Sequence, residues 1–134
     1  MKKIICILLA VLCLGCFASC GGGKNDNSNI DLTTMSDTMI QTQLSNMSAF
    51  PSEFGGKTVK MQGFVAINET GEEVYCVYTD PTGCCTRVMV LDWPVGSDIP
   101  NASTTVTVEG TYDGAYAGVQ KDYICGRLTN ITVS

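Results

Sequence analysis

The chain contains no histidine. That single absence removes Ser-His-Asp and Cys-His catalysis and every metal site that depends on imidazole. Basic residues are scarce, eight against thirteen acidic. Within the expected domain only Lys57, Lys60, Arg87, Lys121 and Arg127 carry positive charge. Five scattered cations are too few for a nucleic-acid groove, so nucleic acid is not an expected partner. No glycine-rich phosphate loop follows a strand and opens a helix, since Gly21-Gly22-Gly23 stands in a polar run. Cys-x-x-Cys is missing from the region beyond residue 20, and so is any internal repeat. Glu72 and Glu73 have no second acid in a recognisable relation and read as solvated turn charges. These absences imply no catalytic constellation and no cofactor.

Long apolar runs are also absent, apart from one at the N-terminus. Lys2 and Lys3 precede Ile4–Leu14, eleven residues with no charge. A bilayer core needs about 20, so this segment does not span. A basic start, a short apolar run and small residues before a break read as a cleaved signal peptide over residues 1–19. Its end, Phe17-Ala18-Ser19-Cys20, resembles a bacterial lipobox, in which small residues precede a cysteine that becomes the acylated N-terminus. A second register, Cys13-Leu14-Gly15-Cys16, has bulky Leu14 where a small residue belongs. Cys20 is therefore the expected lipidation site. Removal of residues 1–19 leaves six basic against thirteen acidic residues, a net charge of −7. Such a surface repels anionic headgroups, so acyl chains and not a basic patch would hold the protein to the membrane.

Residues 20–30 form the expected lipidated cysteine and tether, Gly21–Asn29 lacking any apolar side chain. Residues 31–134 form the expected domain. Leu32, Met35, Met39, Ile40, Leu44 and Met47 recur at three- and four-residue steps. The spacing predicts one amphipathic helix over 34–48, with Thr34 as N-cap, Asp37 in capping-box position and Pro51 as the stop. The methionine stripe is the ordinary signature of a core-facing helix, not of a soft-metal site.

From Gly56 the period becomes two. Val59, Met61, Gly63, Val65 and Ile67 share one face of a long first strand. Further strands are expected at Val74–Thr79, Arg87–Leu91, Thr104–Thr111 and Tyr123–Val133, with Val106 and Val108 inward. Asn68–Gly71 and Asp80-Pro81-Thr82-Gly83 are turn chemistry. The inward set of the last strand slips phase, which predicts a bulge near Thr129-Asn130. Gly63 in mid-strand suits a bend shared by two halves of a barrel. Five short strands favour closure, because closure removes exposed edges. The fold class expected is mainly β: a small five-stranded OB-like barrel with one N-terminal amphipathic helix.

The segments Asp31–Ser36, Gly56–Gly63 and Asp80-Pro81-Thr82-Gly83-Cys84-Cys85 resemble small bacterial lipoproteins carrying a "DLT" helix, a "GKTVKxxG" strand and a "DxTxCC" turn. The resemblance spans nearly all of the chain beyond the signal. It implies an OB-like fold and an envelope location, and it brings no activity. Relatives usually follow the turn with an acid-bearing strand; Val88-Met89-Val90-Leu91 stands here without it, so no role of that acid transfers.

Cys76, Cys84, Cys85 and Cys125 remain once the N-terminal cysteines are set aside. A four-residue turn at 80–83 would pair Thr79 with Cys84 and Cys76 with Arg87. Cys76 and Cys85 would then be diagonal neighbours, marginal for a disulfide, while Cys84 or Cys85 could meet Cys125 on a neighbouring strand. Structural disulfides or buried thiols are the first reading. A thiolate site for zinc or Cu(I) is the second, although Cys-x₇-Cys-Cys-x₃₉-Cys lacks a zinc knuckle. Redox catalysis is the third, since adjacent cysteines seldom bond to each other. Tyr75, Tyr78, Trp93, Tyr112, Tyr116 and Tyr123 could stack on sugars or bases, but packing the barrel is their simpler role. The expected function is a non-enzymatic binding or interaction module tethered to the membrane by its N-terminal lipid. Its partner would be a protein or small molecule. The alternative is a cysteine-based metal-binding protein of the same compartment.

Overall fold

The computed structural model describes residues 29–114 and 124–134. The signal segment, Cys16, Cys20, Lys121, Tyr116 and Tyr123 lie outside them. The chain runs β1 (Asn29–Asp31), a 3₁₀ turn (Leu32–Thr34), α1 (Asp37–Ala49), α2 (Pro51–Phe54), β2 (Thr58–Ile67), β3 (Val74–Thr79), β4 (Thr86–Leu91), β5 (Thr105–Tyr112) and β6 (Ile124–Val133). Strands β2 to β6 close a small OB-like barrel in the order β2-β3-β4-β6-β5, and β5 returns to β2. The β4–β6 pair is parallel, and the other barrel pairs are antiparallel.

Two devices bend the sheet into a cylinder. Strand β2 carries β5 along Thr58–Phe64 and takes up β3 from Phe64 onward. Gly63 stands where β3 joins, and a Cβ there would lie 2.4 Å from the Val77 carbonyl oxygen and 2.8 Å from Cys76 Sγ. Glycine at this position lets β3 come close where β2 passes from one half of the barrel to the other. On β6, Thr129 pairs with Thr111 while Thr132 pairs with Glu109, so the register shifts across Gly110. Asn130 takes φ +51° at that point, the left-handed conformation asparagine tolerates. The predicted bulge lies there.

Ile30, expected in the tether, is buried in the core. Its strand β1 pairs in parallel with Thr58–Lys60, on the edge opposite β5 and along the stretch of β2 that β3 does not reach. A three-residue strand gives too short a periodic signal to be read from sequence.

Helix α1 begins three residues later than expected, with Ser36 in place of Thr34 as N-cap. Asp31 explains the shift. Its Oδ1 accepts from the Thr33 backbone N–H (3.0 Å) and the Thr33 hydroxyl, while the Thr34 hydroxyl turns back to the Asp31 carbonyl. Residues 32–34 are thus held as a 3₁₀ turn, and Thr34 is spent before it can cap anything. Leu44 and Met47 are fully buried, Met35 and Ile40 pack on the core, and Met39 from the predicted stripe is exposed. Pro51 stands at the first position of α2, which turns Phe54 inward. Ile67, expected inward, is exposed at the end of β2.

Tyr112 closes one end of the core. It is fully buried, and its hydroxyl lies 2.9 Å from the Met47 carbonyl and 2.8 Å from that of Cys125. Phe54 meets its ring edge-on at 6.4 Å between centroids.

Candidate functional site

The hairpin between β3 and β4 differs from its predicted register. Thr79 pairs with Thr86, Tyr78 with Arg87 and Cys76 with Met89, two residues beyond the expected partners. The Asp80–Gly83 turn is there, with the Gly83 N–H donating to the Asp80 carbonyl and Gly83 at φ +72°. The ladder, however, is joined by Asp80 and Cys85. Asp80 N–H donates to the Cys85 carbonyl (3.2 Å), and Cys85 N–H donates to Asp80 Oδ1 (3.0 Å). Asp80 also accepts from the Thr82 hydroxyl and, more weakly, from Cys84 Sγ at 3.6 Å. A side chain that takes up several donors lengthens the loop in a way alternation cannot reveal. The same hydrogen bonds, the Thr82 hydroxyl foremost, hold the Asp80 carboxyl below its ordinary range.

This register separates the four cysteines. Cys76 and Cys125 are in the core, and Cys84 and Cys85 are exposed on the hairpin loop. Cys76 is no diagonal neighbour of Cys85, neither exposed thiol reaches Cys125, and none of the four is in a disulfide. Burial pushes the Cys76 thiol up to about 12 and that of Cys125 to about 11, so both are protonated and inert at neutral pH. Among the described residues, no three Cys, Asp or Glu side chains are disposed to hold a metal ion. The exposed pair is different. Cys84 Sγ and Cys85 Sγ are 3.1 Å apart, and that contact, with the neighbouring charge of Asp80, raises the Cys85 thiol.

Helix α1 positions this loop through one polar seam. Asp37, Gln41 and Ser45 recur every four residues and so share a helix face. The Tyr78 hydroxyl donates to Asp37 Oδ1 (2.7 Å), Gln41 Nε2 to the Cys85 carbonyl (3.0 Å), and Arg87 Nη2 to Ser45 Oγ (2.9 Å). Periodicity read for apolar residues alone misses this seam; the recurrence of short polar side chains at the same step was the available signal. Its N-terminal end borders a cleft of about 220 Å³ whose lining includes Leu32, Met35, Asp37, Ile40, Met61 and Tyr78. Burial and the Asp37 carboxylate push the Tyr78 hydroxyl up to about 12, so it remains a hydrogen-bond donor throughout the physiological range.

No protein-family model matches this chain, and no curated protein matches it.

Several other residues singled out in the sequence have packing or hydrogen-bonding roles among the described residues. Tyr112 is core, Trp93 packs against the core, and Tyr75 donates to Glu73. Lys57 lies 5.0 Å over the Phe54 ring, and Arg127 pairs with Asp113. Glu72 and Glu73 donate their N–H groups to Asn68 Oδ1, closing the turn before β3. No helix among the described residues is long and apolar enough to cross a membrane.

Proposed function

We propose that this protein is a lipid-anchored, non-enzymatic binding module of the bacterial cell envelope, acylated at Cys20, whose ligand-facing surface is the cleft between the 3₁₀ turn, α1 and β2–β3. The observation that carries the binding part is the lining of that cleft. Apolar Leu32, Met35, Ile40 and Met61 converge with the Asp37 carboxylate and the Tyr78 hydroxyl. An apolar concavity with a few fixed polar groups is what small-ligand recognition requires. The barrel interior is filled by packed side chains, which leaves the surface for contact.

The anchor rests on Ala18-Ser19-Cys20 and the polar stretch after it. Cys20→Ser is expected to move the protein out of the detergent phase and abolish acyl labelling; retained labelling would place the anchor at Cys16. The cleft is tested by an NMR screen of the acyl-free chain against small organic fragments. Perturbed amides should cluster at Met35, Asp37, Ile40 and Tyr78, and Tyr78→Phe with Asp37→Asn should remove them. Binders that cluster only elsewhere would refute the cleft assignment.

A further inference from the structure

The cleft leaves the two exposed thiols unused. We propose that Cys84 and Cys85 form a two-electron redox centre that closes to a vicinal disulfide by exchange with a low-molecular-weight disulfide and reopens with thiol. This goes beyond the binding function and does not depend on the cleft.

Four observations carry it. The sulfurs are already 3.1 Å apart, and a disulfide bond is about 2.05 Å, so closure needs a movement of about 1 Å. Both thiols are exposed, whereas Cys76 and Cys125 are enclosed by the core and cannot compete. The backbone holding the pair is fixed without using either sulfur: Cys85 N–H is bound by Asp80, and its carbonyl receives Asp80 N–H and Gln41 Nε2. Closure forfeits only the long Cys84 Sγ to Asp80 contact at 3.6 Å. Finally, adjacent residues in a trans peptide have Cα atoms about 3.8 Å apart, less than the roughly 4.4 Å minimum of ordinary disulfides. The ring is therefore strained, and strained exposed disulfides are the readily reduced, reversible ones.

The exchange balances. One thiol of the pair ionises and attacks a sulfur of the small disulfide, forming a mixed disulfide and expelling one thiolate, which takes up the proton. The neighbouring sulfur, held at 3.1 Å, then displaces the second half as a second thiol. Two cysteines are oxidised by two electrons in all, and one disulfide is reduced to two thiols.

The test is incubation of the reduced full chain with oxidised glutathione, followed by alkylation and peptide mass spectrometry. The expected product has lost two hydrogens within the Cys84–Cys85 peptide, which is protected from alkylation, while Cys76 and Cys125 stay unlinked. A mild monothiol in excess should reverse it. Cys84→Ser and Cys85→Ser, both on an exposed loop, should each stop at a stable mixed disulfide carrying one glutathione on the remaining cysteine. A link from either residue to Cys125, a glutathione adduct that persists on the native chain, or no reaction at these residues would each overturn the proposal.

Discussion

The ring of Tyr112 occupies the space that a side chain at Gly126 would need. A Cβ built at Gly126 would stand 2.3 Å from Tyr112 Cε2 and 2.6 Å from its hydroxyl oxygen, and Gly126 takes φ +144°. The bare backbone of β6 lets the phenol reach the carbonyls of Cys125 and Met47, tying the last strand to helix α1. Gly126→Ala should therefore cost about 3 kcal/mol or more, combining overpacking with backbone strain. Tyr112→Phe keeps the ring but removes the one hydroxyl proton that lies between the Met47 and Cys125 carbonyls, for about 1–3 kcal/mol. Equilibrium denaturation would show both losses; a wild-type midpoint for Gly126→Ala would mean the ring has room to move.

A second glycine gives a sharper test, because its obstacles are of two kinds. Gly63→Ala would meet the Val77 carbonyl, which is backbone, and Cys76 Sγ, which is not. Cys76→Ala in the same chain should recover part of the lost stability and no more. Full recovery would show that the sulfur alone, and not the approach of β3, requires glycine.

Helix α1 belongs to the core through Leu44 and Met47, not through the whole apolar stripe. Leu44→Ala should cost about 2–5 kcal/mol, as for other fully buried leucines. Met39→Ala, at a side chain 57% exposed, should be nearly neutral. Equal effects in thermal unfolding would contradict this packing.

The buried thiols predict how stability depends on pH. Cys76 and Cys125 are raised by burial from 9.0 to about 12 and about 11, and Tyr112 from 10.0 to about 12. The folded state thus keeps these protons at a pH where the unfolded chain has begun to release them. Their contribution is complete below about pH 9 and is lost as pH rises toward 11–12. Denaturation midpoints should be level in this respect from pH 7 to 9 and fall above it, less steeply in Cys76→Ala. An equally steep fall in that variant would remove Cys76 from the explanation.

Strands β2 to β6, their closure and the bulge at Asn130 were legible in the residue pattern; the three-residue β1 was not. Period-two alternation over Val59–Val65 and at Val106 and Val108 marks which face is buried, and that constraint acts within a single strand. Turn chemistry marked where the β2–β3 and β3–β4 hairpins reverse, for the same local reason. Register and caps were a different matter. Asp31 gathers Thr33 into a 3₁₀ turn and moves the helix start, and Asp80 gathers Cys85 and moves the β3–β4 pairing by two residues. A short polar side chain choosing among several nearby donors leaves no trace in hydrophobic periodicity.

Composition and residue period were enough for a mainly β barrel and an amphipathic helix, because both act on every residue independently of its distant neighbours. Which cysteines meet depends on how the folded strands pack. Two thiols adjacent in the chain look alike from their spacing, yet Asp80 and Gln41 hold that pair on the exposed hairpin loop. Cys76 and Cys125 were drawn into the core by the packing of strands far apart in sequence. Long-range register decides such a partition, and it becomes definite only once the barrel has closed.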